Sequence, residues 1–249
     1  MSVHILLNGA SGRMGQAISS ICTDYECEIS CPIDLGDDPT DGLTQCDVVI
    51  DFSLREATLP LAQKCADAGK PMVIGTTGHD PSEKEEILKV TSGIPVVWAG
   101  NFSTGVNLLF YLTEQAARVL DSSSNFDAEV VEMHHRLKKD APSGTADRLL
   151  EILKDSRGLS EENIAHGRNG LVGERPLDEI GSHALRGGDV VGDHTVYFAG
   201  IGERLELTHR ATDRTIFAAG ALRAAKWVMG RSPGLYSMQD VLGLVSSSK

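Results

Sequence analysis

The hydrophobic positions in the first part of the chain form short apolar runs separated by longer amphipathic stretches. Short apolar runs predict buried strands, and stretches with apolar residues at helical spacing predict helices. The predicted strands cover residues 3–8, 28–34, 47–52, 71–74 and 94–98. One predicted helix follows the first strand and ends near residue 23, and two more helices cover residues 55–68 and 82–90. Residues 47–52 are nearly all apolar, as in a parallel strand covered on both faces. The alternation predicts an α/β fold with a Rossmann-like, doubly wound parallel sheet.

The pattern changes beyond residue 104, where a long helix is predicted to residue 120. Further strands are predicted at residues 126–135, 183–189, 194–199 and 204–210, and further helices at residues 143–154, 212–229 and 237–246. Residues 156–182 are polar, and we expect little regular structure there. These segments predict a second, α+β domain with an open, mixed or antiparallel sheet and a helix on one side. We expect a first domain of residues 1–104 and 215–249 and an inserted second domain of residues 105–214.

A glycine-rich turn joins the first predicted strand to the first predicted helix. Its residues are Gly9, Ala10, Ser11, Gly12, Arg13, Met14 and Gly15. Glycine permits the tight turn and lets the backbone approach a pyrophosphate, which binds at the N-terminus of the helix. A glycine triplet alone is a weak signal, but here the strand before it and the helix after it agree. The turn therefore predicts dinucleotide binding.

Asp34 ends the second predicted strand, where an acidic side chain typically binds the ribose hydroxyls of NAD. A carboxylate repels a ribose 2′-phosphate by about 4 kcal/mol at a separation of roughly 4 Å and an effective dielectric of ~20. We therefore expect NADH to be preferred over NADPH. Arg13 could reach the phosphate and offset this repulsion, so NADPH remains a second cofactor.

Further candidate cofactor contacts follow the later strands of the first domain. Ligands of open α/β sheets bind beyond the carboxyl ends of the strands. The residues at these ends are Phe52, Ser53, Gly75, Thr76, Thr77, Ala99, Gly100, Asn101 and Phe102. Each of these segments alone could be a plain turn, but together with the glycine-rich turn they predict one cofactor site.

A second candidate site lies between Glu132 and Thr145. Pro142 ends any element before it, and the residues Ser143, Gly144 and Thr145 open a predicted helix. The first backbone N–H groups of a helix lack internal partners and carry the positive end of its dipole. With two histidines and Lys138 before it, this helix start predicts a site for an anion, most simply a carboxylate. The alternative, a solvated turn with surface histidines, remains open from spacing alone.

His134 and His135 end the strand that leads into this segment. Neighbouring side chains on a strand point to opposite faces of the sheet. We therefore expect the two imidazoles to have different roles.

Composition excludes several classes of function. The 249 residues carry a formal net charge of −12, which argues against a nucleic-acid or anionic-membrane partner. The cysteines are odd in number and lack zinc-like spacing, which favours buried free thiols in a reducing compartment over a metal site. They are Cys22, Cys27, Cys31, Cys46 and Cys65. Without a signal peptide or an apolar run long enough to cross a bilayer, we expect a cytoplasmic protein.

These motifs resemble the dihydrodipicolinate reductase (4-hydroxy-tetrahydrodipicolinate reductase) family of lysine and diaminopimelate biosynthesis. The resemblance covers the chain almost end to end, and its most specific segment runs from the two histidines to Ser-Gly-Thr. The segments that carry it are residues 9–15, 75–78, 101–107, 132–146, 186–194 and 202–209, with Trp227. The family usually has proline where Gly100 stands, which should loosen a hinge there.

The resemblance implies a reaction and a role for each site residue. The reaction is the NAD(P)H-dependent reduction of 4-hydroxy-tetrahydrodipicolinate, a cyclic dicarboxylate. His134 corresponds to the general acid/base and Lys138 to the proton donor, and the substrate-binding positions are His135, Ser143, Gly144 and Thr145. Family members are typically homotetramers built through the sheet of the second domain. Because the cofactor and the histidines lie on different predicted domains, we expect the two lobes to close during turnover.

Two other functions remain open. Another two-domain NAD-dependent dehydrogenase would share the first domain but need not have the segment of residues 134–145. A non-catalytic NAD(H)-sensing protein would bind NADH without turnover.

Overall fold

The computed structural model describes residues 2–244. The chain divides into two compact units, Met1–Thr104 with Arg214–Lys249 and Gly105–Asp213. The strands are β1 (Val3–Asn8), β2 (Cys27–Ile33), β3 (Val48–Asp51), β4 (Met72–Ile74), β5 (Pro95–Trp98), β6 (Asp127–His134), β7 (Ile164–His166), β8 (Ile180–Arg186), β9 (Gly192–Gly200), β10 (Glu203–Ala211) and β11 (Gly234–Tyr236). The helices are α1 (Arg13–Ile21), α2 (Thr40–Gln45), α3 (Arg55–Asp67), α4 (Pro81–Val90), α5 (Thr104–Val119), α6 (Gly144–Arg157), α7 (Thr215–Val228) and α8 (Met238–Leu242).

The first unit contains a parallel sheet with the strand order β11-β5-β4-β3-β1-β2. Side chains alternate between its two faces, and both faces are buried. Ile5 and Ile50 pack in the core shared with α1 and α7, whereas Leu6 and Val49 pack in the core on the α3 side. This two-sided burial requires apolar residues at successive positions, which is the pattern in the sequence. The predicted doubly wound sheet is confirmed.

Pro32 lies inside β2, where its ring removes one hydrogen-bond donor from the ladder. The structure shows why this is tolerated, because β2 is an edge strand of the sheet. The register between β1 and β2 also shifts after Ile5. The predicted strand therefore forms with its proline on an open edge.

The second unit contains a mixed sheet with the order β10-β9-β6-β8-β7. β6 pairs antiparallel with β9 and parallel with β8. Val130, Val196 and Phe198 on one face are buried with Leu149 and Leu153 of α6. The predicted second domain, with its open mixed sheet and helix, is confirmed.

Three short elements were missed by the sequence analysis. They are α2, β7 and β11, and β7 lies in the stretch for which little regular structure was expected. Two of them are three-residue strands, which carry no readable period and depend on a neighbouring strand for their hydrogen bonds. Several predicted bounds also move. For example, α7 begins at Thr215 rather than at residue 212, and β8 covers Ile180–Arg186 rather than residues 183–189. Residues 245 and 246 of the predicted last helix lie outside the described residues.

The cysteines are all free, and Cys22, Cys27, Cys46 and Cys65 are buried. Burial raises the pKa of the Cys46 thiol, which keeps it protonated and unreactive near neutral pH. Among the described residues, no helix has the length and apolar composition needed to cross a membrane.

Candidate active site

The glycine-rich turn of the first unit is shaped by close backbone contacts. Gly9 has φ of 83°, and a Cβ there would lie 2.3 Å from the carbonyl oxygen of Phe52. A Cβ on Gly15 would lie 2.2 Å from the carbonyl oxygen of Gly9. The N-cap of α1 is Gly12, which offers no side-chain hydrogen bond to the first turn. A tight turn and an uncapped helix start fit a pyrophosphate group.

Asp34 follows β2 directly and faces this turn. Each of its carboxylate oxygens lies 3.2 Å from the backbone nitrogen of Ser11, which donates to them. Its own backbone N–H donates to the carboxylate of Asp37 at 2.8 Å. A cavity of about 200 Å³ beside it has an apolar lining that includes Leu35 and Pro60. Two carboxylates and an apolar cavity fit a ribose and an adenine.

A buried carboxylate that the sequence analysis missed organises the neighbouring strand ends. Asp51 is fully buried at the end of β3 and accepts hydrogen bonds from four side chains. The donors are Asn8 at 2.8 Å, Ser53 at 2.5 Å, Thr58 at 2.7 Å and Thr76 at 3.0 Å. The hydroxyl of Thr76 also accepts from the backbone nitrogen of Ser53 at 2.9 Å. The predicted cofactor residue Thr76 is therefore held inside this network by its side chain.

The other predicted cofactor residues differ in how they could meet a ligand. Arg13, Thr77 and Gly100 are exposed, whereas Phe102 is only 1% exposed and packs its ring 5.4 Å from that of Phe52. Any cofactor contact from Phe102 would thus come from its backbone. Two of the remaining predicted residues donate their backbone N–H groups to the sheet: Ala10 donates to the carbonyl of Ile33, and Ala99 donates to the carbonyl of Ile74. Met14 packs on the core, and Gly75 lies against the Phe52 ring. The side chain of Asn101 accepts from the N–H of Ser103.

The second unit places His134 in a buried chain of charged groups. His134 Nδ1 lies 2.5 Å from Glu132 Oε2, two positions earlier on β6. Arg186, at the end of the paired strand β8, donates to both oxygens of Glu132 at 2.8 and 2.9 Å. Burial raises the pKa of Glu132, but hydrogen bonds from Arg186 and His134 outweigh it and lower the pKa below its ordinary value. Glu132 is therefore an anion that holds Nδ1 of the imidazole and fixes the orientation of the ring.

Lys138 is largely buried in the turn after β6. Its Nζ lies 2.8 Å from Asp140 Oδ2, and this hydrogen bond lowers the pKa of the Asp140 carboxyl. The backbone oxygen of Asp140 in turn accepts from Arg186 at 2.7 Å. Arg186 therefore connects the segment that carries Lys138 to the carboxylate that holds His134.

Helix α6 begins after its N-cap, Ser143. The Ser143 hydroxyl accepts from the N–H of Ala146 at 3.3 Å. A Cβ on Gly144 would meet no atom within 4 Å, so the space over this helix start is open. Ser143 Oγ also lies 3.1 Å from Nε2 of His194. An open, capped helix start of this kind fits a carboxylate.

His135 directly follows the last residue of β6. Its N–H donates to the carbonyl of Val190 at 2.7 Å, and within the described residues its buried Nδ1 has no hydrogen-bond partner. An unsatisfied buried nitrogen costs free energy unless a ligand binds it. This fits the substrate-binding role predicted for His135, and it fits the expectation that the two histidines differ.

Several side chains of this site, among them Arg186, His194 and Glu132, had no assigned role in the sequence analysis. Arg186 and His194 lie in segments that the resemblance covers, but nothing local indicated that they meet residues near position 134. Glu132 could have been found from the sequence, because residues two apart on a strand share a face.

Comparison with known families covers both parts of the chain. The model described as dihydrodipicolinate reductase, N-terminus, matches residues 3–102. The model described as dihydrodipicolinate reductase, C-terminus, matches residues 105–242.

Individual proteins agree with these matches. A protein of Akkermansia muciniphila named 4-hydroxy-tetrahydrodipicolinate reductase is 53% identical over 244 residues, covering 97% of this chain and 98% of its own. One of Thiobacillus denitrificans with the same name is 46% identical over 268 residues, covering 98% of this chain and 100% of its own.

Solved structures of distant relatives share the fold. A dipicolinate-bound dihydrodipicolinate reductase from Paenisporosarcina sp. TG-14 has a TM-score of 0.76 at 22% identity, covering 96% of this chain and 99% of its own. An amine dehydrogenase from Mycobacterium smegmatis has a TM-score of 0.58 at 11% identity, covering 96% and 95%. At these identities the likeness concerns the fold alone.

Proposed function

This chain belongs to the dihydrodipicolinate reductase family, and we propose that His134 and Lys138 carry out the proton chemistry of its reaction. The protein is an NAD(P)H-dependent oxidoreductase that reduces 4-hydroxy-tetrahydrodipicolinate to tetrahydrodipicolinate in lysine and diaminopimelate biosynthesis. Family membership favours this reaction over the two alternatives, a non-catalytic sensor and another two-domain dehydrogenase. Other two-domain dehydrogenases share only the fold.

The observation that carries the proposal is the paired charge arrangement in the second unit. Glu132, itself held by Arg186, fixes Nδ1 of His134, and Lys138 Nζ is held by Asp140. The cofactor supplies a hydride when it is bound. In the net reaction the substrate gains this hydride and a proton and loses its 4-hydroxyl group as water, and a lysine ammonium can donate the proton from Nζ. An imidazole fixed at Nδ1 can accept or donate a second proton at Nε2.

The carboxylates of the substrate require a separate binding element. Backbone N–H groups at the start of α6 offer donors and the positive end of a helix dipole. The dipicolinate named for the Paenisporosarcina reductase is a planar cyclic dicarboxylate. We assign His135, Ser143, Gly144 and Thr145 to binding the carboxylates of this chain's substrate, in agreement with the open space over Gly144.

Cofactor preference follows from the charges beside the glycine-rich turn. The turn of residues 9–14 would hold the pyrophosphate, and Asp34 would accept from the ribose hydroxyls. Asp37 adds a second carboxylate beside Asp34, so a 2′-phosphate would face two negative charges. Arg13 is exposed and could offset part of this repulsion. We assign NADH as the preferred cofactor and NADPH as the weaker one.

The open face of the five-stranded sheet supports assembly into homotetramers. One face of this sheet packs on α6, whereas alternate residues on the other face, including Val131 and Tyr197, remain partly exposed. Light scattering should then give four times the chain mass of 26.6 kDa. The cytoplasmic location remains a prediction from the sequence.

The experiment is NADH oxidation with freshly generated 4-hydroxy-tetrahydrodipicolinate, comparing wild type with Lys138→Ala. Loss of a positioned proton donor typically costs about 10²–10⁴-fold in rate, so we expect near-complete loss of turnover. The dissociation constant for NADH should not change, because Lys138 lies in the second unit.

Lys139→Ala is the matched control, since Lys139 is the adjacent lysine and is exposed. It should keep wild-type turnover. Equal turnover in the Lys138 variant and the wild type would remove Lys138 from the mechanism. Absence of turnover in the wild type, despite NADH binding, would contradict 4-hydroxy-tetrahydrodipicolinate as the substrate.

A further inference from the structure

His194 is a buried imidazole that the mechanism above does not use. It lies on β9, where the antiparallel register places it beside Glu132 of β6. Only 4% of its surface is exposed. Because cross-strand partners point to the same face, His194 shares the face that carries Glu132 and His134.

This imidazole contacts both parts of the proposed site. Its Nε2 lies 3.1 Å from the hydroxyl of Ser143, which caps the carboxylate-binding helix. Its ring meets that of His134 edge to face, with ring centres 5.1 Å apart and an interplanar angle of 74°. His194 thus lies between the proposed acid/base, His134, and the proposed carboxylate cradle, which is the start of α6 with Ser143, Gly144 and Thr145.

The hydrogen bonds around His194 fit a neutral ring. A hydroxyl has two acceptor positions, so Ser143 can accept from both Ala146 N–H and His194 Nε2–H, which leaves Nδ1 without a proton. Within the described residues, Nδ1 of His194 is buried without a hydrogen-bond partner. A protonated ring would add an unpaired N–H at this nitrogen and place a positive charge in the interior beside His134. Burial, followed by the neighbouring His134, lowers the pKa of His194 to about 4.

The strand around His194 is shaped to admit this arrangement. Gly192 lies two residues earlier on the same face, and a Cβ there would be only 3.0 Å from Nε2 of His134 and 3.5 Å from Cε1 of His194. Glycine therefore lets β9 pass close to both rings. The spacing of the two imidazoles depends on this close approach.

We propose that His194 is a positioning residue that sets the distance between His134 and the start of α6 through its hydrogen bond to Ser143. This proposal rests on the proposed function, because it gives His194 its role through the residues assigned there. When His134 changes its protonation state during turnover, the neutral His194 keeps the cradle in place without competing for the proton. His194 itself does not touch the substrate.

The test uses dipicolinate as a probe of the cradle, with binding to the full-length protein measured by calorimetry. His194→Leu keeps a side chain of similar bulk but removes the hydrogen bond to Ser143. We expect dipicolinate to bind about tenfold more weakly and the KM of the substrate to rise similarly, which is the effect of one lost hydrogen bond. NADH affinity should not change.

Rescue by a conservative variant separates positioning from general damage to the fold. His194→Gln places an amide where Nε2 stands, and His194→Asn is one methylene too short. The glutamine variant should return dipicolinate affinity to within about threefold of wild type, and the asparagine variant should not. If the leucine variant does not fold, the contrast between glutamine and asparagine decides.

A double-mutant cycle with Ser143→Ala tests the route of the effect. His194→Leu should weaken dipicolinate binding no further once Ser143 is alanine. Additive losses, or equal binding by the glutamine and asparagine variants, would overturn the proposal while wild-type turnover stands. A wild type with neither turnover nor dipicolinate binding would overturn the proposed function and this proposal together.

Discussion

Glu132 and His134 lie two positions apart on β6, and Glu132 Oε2 is 2.5 Å from His134 Nδ1. The pair is buried, and the second oxygen of Glu132 is held by Arg186 at 2.8 Å. A carboxylate in this position fixes the tautomer of an imidazole and stabilises its protonated form. The strand spacing therefore places the proposed acid/base, His134, beside the group that orients it.

Replacing Glu132 by glutamine tests this relationship. The amide keeps the shape but removes the charge, so His134 loses its orientation and Arg186 its partner. We expect kcat to fall about 10- to 100-fold, as loss of a charge-assisted hydrogen bond of about 1.5–3 kcal/mol implies. Steady-state kinetics with the family substrate give the value.

Glu129→Gln is the matched control, because Glu129 lies on the same strand and pairs with Arg168 and His183 on the opposite face. This variant should keep its kcat. An unaltered kcat in the Glu132 variant would show that the carboxylate does not orient His134.

Glu129 should make the stability of the protein depend on pH in acid. Burial raises its pKa, but hydrogen bonds from Arg168, His183 and Arg175 outweigh burial and lower the pKa from 4.5 to about 2. The folded state thus binds this proton less readily than the unfolded state. The stabilisation, about 3 kcal/mol, is present above pH 4.5 and is lost as the pH falls towards 2.

Urea unfolding of wild type and Glu129→Gln between pH 7 and pH 3 measures this contribution. The difference in unfolding free energy between the two proteins should shrink as the pH falls below 4.5. Glu85→Gln, at an exposed position of α4, is the control and should unfold like the wild type at each pH. If the difference in unfolding free energy between wild type and Glu129→Gln stays constant from pH 7 to pH 3, the lowered pKa of Glu129 is contradicted.

Asp34→Ser should shift cofactor use towards NADPH. Removing the carboxylate removes its repulsion of a 2′-phosphate, which is about 4 kcal/mol at close range and is reduced by screening. The ratio of kcat/KM for NADPH to kcat/KM for NADH should therefore rise tenfold or more, where tenfold corresponds to ~1.4 kcal/mol. Asp41→Ser removes the same charge from exposed α2 and should leave the ratio unchanged. A wild type that clearly favours NADPH would show that the proposed preference is wrong.

Gly15 and Gly100 should respond oppositely to alanine. A Cβ on Gly15 would lie 2.2 Å from a backbone oxygen, and neither atom can move without shifting the turn, so Gly15→Ala should lower the unfolding free energy by about 3 kcal/mol or more. A Cβ on Gly100 would meet nothing within 4 Å, so Gly100→Ala should raise the unfolding free energy by about 0.4–1 kcal/mol. Denaturant unfolding measures the free energy of unfolding of both variants. Equal decreases in the two variants would contradict the tight contact at Gly15.

Most of the fold could be predicted from local patterns. The strands of the first sheet carry continuous apolar runs, because both faces are covered, and each helix between them is long enough to show its period. The elements that escaped prediction, α2, β7 and β11, are short and draw their stability from neighbours distant in sequence. Pro32 is tolerated in β2 because the strand order places this strand at an edge of the sheet.

The sequence by itself determined which groups the chemistry can use. The glycine-rich turn, Asp34, the paired histidines, Lys138 and the helix start at Ser143 are all local motifs, whose spacing follows from one strand or one helix terminus. Their roles came from the resemblance, and their chemical types agree with it.

Only the tertiary structure decided how these groups are held. Arg186 reaches Glu132, and His194 reaches Ser143, across strands that pair through a register no local pattern contains. The buried carboxylate of Asp51 collects donors from separate strands and a helix in the same way. Hydrogen bonds between distant residues form because the packed sheet brings their backbones together, and that arrangement depends on the whole core rather than on any one motif.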